Sequence, residues 1–446
     1  MFGKPGFVLF LSAALARQTG CSKDAIVEMT DTGGPDVDVT SPTADTGDGP
    51  SAGPLVVTVE NTAGPYVGAR VVFHDPSGAV LGTEVTDDAG VASWPSFPEG
   101  GGVTAATSGR TSRLSTMLDL APGALSIEPV VDIQTVGTME VRLPPPFPGA
   151  ETYDFGNGCA GALDVDLAKV HVVEVDPTCL DEDQRGFLVA VAYDADGLAI
   201  AHATEPSLFV GRLAPAQVWL DSWRTDFQRF DVSLDGVPDR AASIQILGYD
   251  MHRGLIGYGD FFSSAPGPDP LTAPGMRLTG AMDDILVIAR VNYEGTGLAS
   301  SSEYSRGLGT VPAELNLGLT GQMPPRLHEV DFDIASSTIS WTLDGPFPQA
   351  DVARLSLNWT RGTNGYEWIV AGPVPPEQRL VLPELPQSLE TWMFTSPGDF
   401  VENPLVLLHG GSAIEGWPDL RARFTPFWES RMQGPTPFET YLAIGI

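Results

Sequence analysis

From Leu55 onward, apolar residues come in short runs that turn formers interrupt about every eight to twelve residues. Within the runs the apolar positions alternate. Val57 and Val59, then Val71 and Phe73, are spaced as on strands with one buried face. Strands are expected in the first stretch at 55–61, 69–74, 81–86, 91–94, 103–107, 113–118 and 124–129. Asp75-Pro76-Ser77-Gly78 and Asp87-Asp88-Ala89-Gly90 read as tight hairpin turns. In each, an aspartate can bond the turn backbone and the glycine can take a positive φ. A sustained helical period is absent; 418–432 is the exception, a short helix candidate broken by Pro426. The pattern predicts an all-β chain of tandem sandwiches.

At 446 residues the chain is too long for one domain. The β texture divides into 55–137, 138–212, 213–324 and 325–446. One hairpin pattern recurs: an apolar strand, an aromatic, an acidic or polar turn, then a second apolar strand. It stands at Phe73-His74-Asp75, at Tyr193-Asp194-Ala195-Asp196-Gly197 and at Tyr249-Asp250. Pro146-Phe147-Pro148-Gly149-Ala150 is echoed by Pro346-Phe347-Pro348-Gln349-Ala350. The intervals are irregular, which excludes a solenoid. Phe73, Tyr193 and Tyr249 are therefore expected beside turns in separate sandwiches, each with its own core.

The first 54 residues differ in kind. Met1 and Lys4 precede an apolar run, Phe7 to Ala16, which is far shorter than the roughly 20 residues a membrane-spanning helix needs. Residues 1–20 therefore read as a secretory signal. The stretch 21–54 is rich in Asp, Thr, Gly, Pro and Ser and holds no aromatic residue, so it buries too little to fold and is expected to be a disordered linker. Its 33 residues beyond Cys21 would span ~30 Å as a coil, enough to clear a lipid surface. The formal net charge is −33, from 57 acids and 24 bases. Such a balance argues against nucleic-acid partners and against attraction to anionic lipid headgroups.

Gln18-Thr19-Gly20-Cys21 resembles a bacterial lipobox, although Gln18 stands where that family favours an apolar residue. The resemblance implies a lipid on Cys21 and a membrane anchor, at the outer membrane or cell surface. Ala14-Leu15-Ala16 offers a rival site for plain secretion. With Cys21 set aside, Cys159 and Cys179 form an even pair in an oxidising compartment, either bridged or as two buried thiols. A bridge would close a loop of about 20 residues and contribute roughly 3 kcal/mol. Gly64-Pro65, Gly68-Ala69-x-Val71 and Thr86-Asp87-x-x-Gly90-Val91 resemble the carboxypeptidase regulatory-like domain and its Ig-like and transthyretin-like relatives. That resemblance implies a non-catalytic sandwich. No peptidase domain is expected beside it. Residues 325–446 are similar to a fibronectin type III sandwich, with 440–444 expected to pair back as its last strand.

Candidate chemistry is sparse. Asp194-x-Asp196-Gly197 could open a calcium loop, but the further oxygen ligands and terminal glutamate of an EF-hand are missing, so a hairpin turn is expected and no cofactor is implied. Glu329, Asp331 and Asp333 alternate and should share a solvated strand face. His409-Gly410-Gly411-Ser412 resembles an esterase oxyanion loop, yet no G-x-S-x-G elbow is present, and an ordinary loop is expected. Trp219 with Trp223, and Trp359 with Trp368, could stack on sugar rings if exposed; the competing expectation is core packing. These residues point to a non-enzymatic, exported surface protein whose modules meet protein or envelope partners, with carbohydrate binding as the second reading. Replacing Cys21 by Ser should release the chain from membranes into the soluble fraction. Retention of Cys21→Ser protein, together with no labelled fatty acid on the unaltered chain, would contradict lipidation.

Overall fold

The computed structural model describes residues 52–445 except 62–63, 109–110, 128–136, 157–160, 163, 176–179, 181–184, 211–215, 253–254, 265–270, 279–283, 294–299, 311–312, 395–399, 402–403, 413–415 and 422–437. The signal, most of the linker, Cys21, Cys159 and Cys179 lie outside the described residues. The chain is all-β, in paired sheets.

The first sandwich comprises β1 (Ala52–Asn61), β2 (Gly64–Pro65), β3 (Arg70–His74), β4 (Val80–Val85), β5 (Val91–Pro98), β6 (Gly101–Thr107), β7 (Thr111–Leu120) and β8 (Gly123–Ile127). β1 pairs antiparallel with β5 and parallel with β8, and the facing sheet runs β4-β3-β6-β7. Val57, Val59, Val71 and Phe73 all point between the two sheets, as their alternation requires.

The second sandwich holds β9 (Gly137–Arg142), β10 (Thr152–Gly156), β11 (Gly161–Ala162), β12 (His171–Val175), β13 (Arg185–Tyr193), β14 (Ala199–Phe209) and β15 (Ala216–Trp219). The third holds β16 (Phe227–Asp235), β17 (Ser243–His252), β18 (Leu255–Ser264), β19 (Leu271–Leu278), β20 (Asp284–Asn292), β21 (Ser300–Leu308) and β22 (Glu314–Gly318). Both repeat the first plan. The opening strand pairs antiparallel with the fifth-position strand of the first sandwich's plan (β12, β19) and parallel with the last (β15, β22). The facing sheets run β11-β10-β13-β14 and β18-β17-β20-β21.

The fourth sandwich is different. It comprises β23 (Leu327–Asp333), β24 (Thr338–Leu343), β25 (Val352–Arg361), β26 (Asn364–Gly372), β27 (Arg379–Val381), β28 (Phe400–Val401), β29 (Leu405–Gly411) and β30 (Phe438–Gly445). β23-β24-β27 faces β26-β25-β29-β30, the strand order of a fibronectin type III sandwich.

Three of the four sandwiches are not separate bodies. One path of hydrogen-bonded strands runs β18-β17-β20-β21-β30-β29-β25-β26-β7-β6-β3-β4. The four-stranded sheet of the fourth sandwich therefore sits between those of the third and the first. β7 joins β26 in parallel, and β21 joins β30 antiparallel. The cores cross the same seams: Val72, Ala106 and Leu114 of the first sandwich pack in the fourth's core, and Tyr441 of β30 packs in the third's. The expectation that every sandwich stands alone fails for the first, third and fourth; a strand edge has no local signature of what will pair with it.

The turns follow the expected chemistry. Asp75, Asp87 and Asp194 each accept two backbone N–H bonds on Oδ1, from Ser77 and Ala79, from Ala89 and Val91, and from Asp196 and Leu198. The glycine of each turn has a positive φ, at 86°, 73° and 78° for Gly78, Gly90 and Gly197. A Cβ on Gly90 would also lie 2.5 Å from the Val59 carbonyl oxygen, so only glycine fits. The two Pro-Phe-Pro echoes close with the same bond, Ala150 N–H to Phe147 O and Ala350 N–H to Phe347 O, both 3.1 Å. Two expectations fail. Tyr249 and Asp250 lie within β17, at an irregularity between Tyr249 and Met251, rather than at the turn itself. His409, Gly410 and Gly411 lie within β29, paired to β25 and β30, and do not form a loop. Of the helix candidate 418–432, residues 418–421 fall in a short α-helix, Trp417–Arg421, and the remainder is outside the described residues.

Candidate functional site

The tryptophans divide sharply. Trp359 and Trp368 are 1% and 0% exposed, packed in the fourth sandwich's core around Phe394. Neither can stack a ligand, so sugar binding does not extend to them. Trp223 is half-buried: its ring lies 5.5 Å from that of Tyr153 and its indole N–H donates to the Pro145 carbonyl oxygen at 2.7 Å. It lies beyond the end of β15, so it does not share a strand face with Trp219. Trp219, at 63% exposed, stands on the outer face of β15.

Trp368 serves the seam between the first and fourth sandwiches. Its indole N–H donates to Thr116 Oγ1 at 2.8 Å. Thr116 Oγ1 lies 2.8 Å from Thr104 Oγ1, which lies 2.9 Å from His74 Nε2. The chain of bonds thus crosses β26, β7, β6 and β3, entirely within the buried interior. A few residues along, Arg113 Nε meets Glu367 Oε2 at 2.9 Å across the parallel β7–β26 pair. Nothing in the sequence marks these residues as partners, because 252 positions separate Thr116 from Trp368.

The seam between the third and fourth sandwiches is built from hydroxyls. Tyr304 and Tyr441 are directly opposed across β21 and β30, with stacked rings 5.6 Å apart. The Glu439 carboxylate accepts from both phenols, at 2.7 and 2.8 Å, and burial pushes both tyrosine pKa values up. Ser305 and Thr440 share a hydroxyl bond beside them. Ser300 and Ser302 donate to the carbonyl oxygens of Leu327 and Pro325 in the fourth sandwich. Phe438 lies flat against Gly307, where a Cβ would meet the ring at 2.1 Å.

The remaining candidates are structural. Asp194 is a turn aspartate, as described, and its Oδ1 is occupied by two backbone donors. Glu329, Asp331 and Asp333 alternate with less exposed residues on β23, and Asp333 accepts from Ala335 N–H and Ser336 Oγ. Among the described residues, no group of three or more His, Cys, Asp or Glu side chains is arranged to hold a metal ion.

The sequence matches no family model and no curated protein. Among solved structures, the chain is similar to the Bacillus anthracis TIE protein at 12% identity and a TM-score of 0.16, over 60% of this chain and 50% of that one. This match thus spans half the length of the TIE protein. A tetra-tandem repeat from the extending region of a large adhesion protein matches at 14% identity and a TM-score of 0.12, over 80% of this chain and 95% of that one. At TM-scores this low the overall arrangements differ, and neither likeness bears on function.

Burial holds the pKa of His74 down at about 4, against an ordinary value of 6.5. The unfolded chain takes up this proton near pH 6.5 and the folded chain does so only near pH 4, so the stability contributed by neutral His74 is present above pH 6.5 and is lost as pH falls toward 4. Chemical denaturation of the chain and of His74→Gln at pH 7 and pH 5 should show a smaller acid loss in the variant, by about 1–2 kcal/mol. Equal losses would remove His74 from the account.

Proposed function

We propose that the chain is an exported surface protein, anchored through lipid on Cys21, whose fused sandwiches form one stiff, non-catalytic body for structural or interaction roles at the cell envelope. The observation that carries this reading is the continuous strand path through three sandwiches. A protein that must reach outward as one piece gains from fused sheets: each seam replaces a hinge with backbone pairing. Interfaces between domains of one chain otherwise resemble transient contacts and permit relative motion. The hydrogen-bonded buried polar residues at both seams serve the same end, since each satisfied buried group fixes one arrangement. The acidic linker supplies distance from the lipid surface, and its charge favours an extended chain. The partners in this reading are the membrane, through Cys21, and a protein or glycan of the envelope; nucleic acid has no part in it.

Protease treatment of intact cells tests both halves of the reading. Cleavage is expected first in 21–54, releasing a body that begins near Leu55 and runs as one species in native size exclusion, even if strands are nicked. No release from intact cells would contradict surface placement. Release of the first and fourth sandwiches as separately migrating fragments would contradict the stiff body.

A further inference from the structure

The first three sandwiches share one plan, so the outer faces of their smaller sheets can be compared position by position. In the first, the outward pairs on the opening and last strands are Val56 with Ala124 and Thr58 with Ser126. In the third, they are Asp231 with Glu314 and Ser233 with Asn316. In the second, they are Glu140 with Gln217 and Arg142 with Trp219. The inward residues between them, Val141 and Val218, are buried core. On the other side of Glu140 stands Val172, 66% exposed, with Val170 just before the strand at 54%. At these positions the first and third sandwiches carry no aromatic and no cation, whereas the second carries a bare indole beside a guanidinium. This is also the sandwich whose sheets stay outside the long strand path.

We infer that the outer face of β12-β9-β15 binds a short pyranose glycan through Trp219, Arg142, Glu140 and Gln217. A sugar ring has an apolar C–H face and a rim of hydroxyls, and it needs both kinds of contact. The exposed Trp219 ring offers a π-face, negative at its centre, for the C–H face. Hydroxyls that donate find the Glu140 carboxylate. Hydroxyls that accept find the Arg142 guanidinium, which presents five N–H donors and, among the described residues, pairs with no carboxylate. Gln217 can do both, and its amide already lies 3.4 Å from Glu140 Oε2, which orients the pair. Val172 and Val170 extend the apolar floor.

Size separates this occupant from a protein. Three strands at ~4.8 Å spacing and about five residues at ~3.3 Å give a face of roughly 230 Å². A stable protein partner needs about 800 Å² on each side. A short glycan fits the smaller area. The inference rests on the surface reading only for where such glycans are met; the test below uses purified chain, so it can fail while surface placement stands.

The test is fluorine NMR of the purified mature chain labelled with 5-fluorotryptophan, titrated at millimolar concentration with chitohexaose as a neutral glycan and with an oligogalacturonate as an acidic one. Trp219→Phe assigns the Trp219 resonance and Trp359 serves as a buried reference. The expected result is a shift of the Trp219 resonance, with the Trp359 resonance fixed, for at least one probe. Trp219→Ala should weaken that probe's binding at least tenfold and leave the melting temperature unchanged, Arg142→Ala should weaken it, and Trp219→Phe should retain part of it. A shift with the acidic probe alone assigns Arg142 to a carboxylate; a shift with the neutral probe assigns it to hydroxyls. A Trp219 resonance unmoved by both probes, or a Trp219→Ala chain that binds as well as the unaltered one, overturns the inference.

Discussion

The parallel pairing of β7 with β26 is the contact on which the rest of the body depends. It carries the first sandwich into the common sheet and sets the register in which the two cores meet. Parallel pairing is slightly weaker per residue than antiparallel pairing and needs a long connection; here the two strands are joined only through the whole intervening chain. Something besides the ladder must therefore fix the seam. The buried chain of bonds from Trp368 through Thr116 and Thr104 to His74 does this, because each member left without its partner would cost about 1–3 kcal/mol. The Arg113–Glu367 pair adds a second constraint on register. A slip by one residue would break both and turn the core face outward.

The second seam uses different chemistry for the same purpose. β30 pairs β29 on one side and β21 on the other, so one C-terminal strand closes the fourth sandwich and joins it to the third. The stacked tyrosines around Glu439 and the serine bonds to Leu327 and Pro325 specify the approach. Glycine at 307 lets Phe438 lie flat on β21. Together the seams also deal with exposed edges, since a strand edge inside a longer sheet offers no template for aggregation. The second sandwich guards its equivalent edge in another way: His202 of β14 exchanges both backbone bonds with Arg224, and Pro206 removes a donor further along.

Much of this architecture was legible in the sequence, where local rules govern. The strands of the first sandwich, the aspartate turns and the fibronectin-like end with its returning last strand all follow from alternation and turn chemistry. What could not be read was long-range pairing. Ser300-Ser301-Ser302-Glu303 has the composition of a solvated segment, yet these residues are buried, because β21 has strands on both sides and carbonyl oxygens to receive its hydroxyls. Thr104 and Thr116 read as ordinary strand residues, and only the fold makes them links between His74 and Trp368. Of the four tryptophans singled out, alternation could not separate core from surface. Trp359 and Trp219 both sit on strands, and the difference lies in whether a second sheet covers the face.

Hydrogen exchange of the intact chain, read by mass spectrometry, tests the fused sheet most directly. If β7 and β26 are interior strands of one sheet, amides of Thr111–Leu120 and Asn364–Gly372 exchange as slowly as those of the central strand β25, and in the same cooperative unit. If these two segments exchange fast, as free edge strands do, while β25 remains protected, the sandwiches are separate and the account of a single stiff body is wrong.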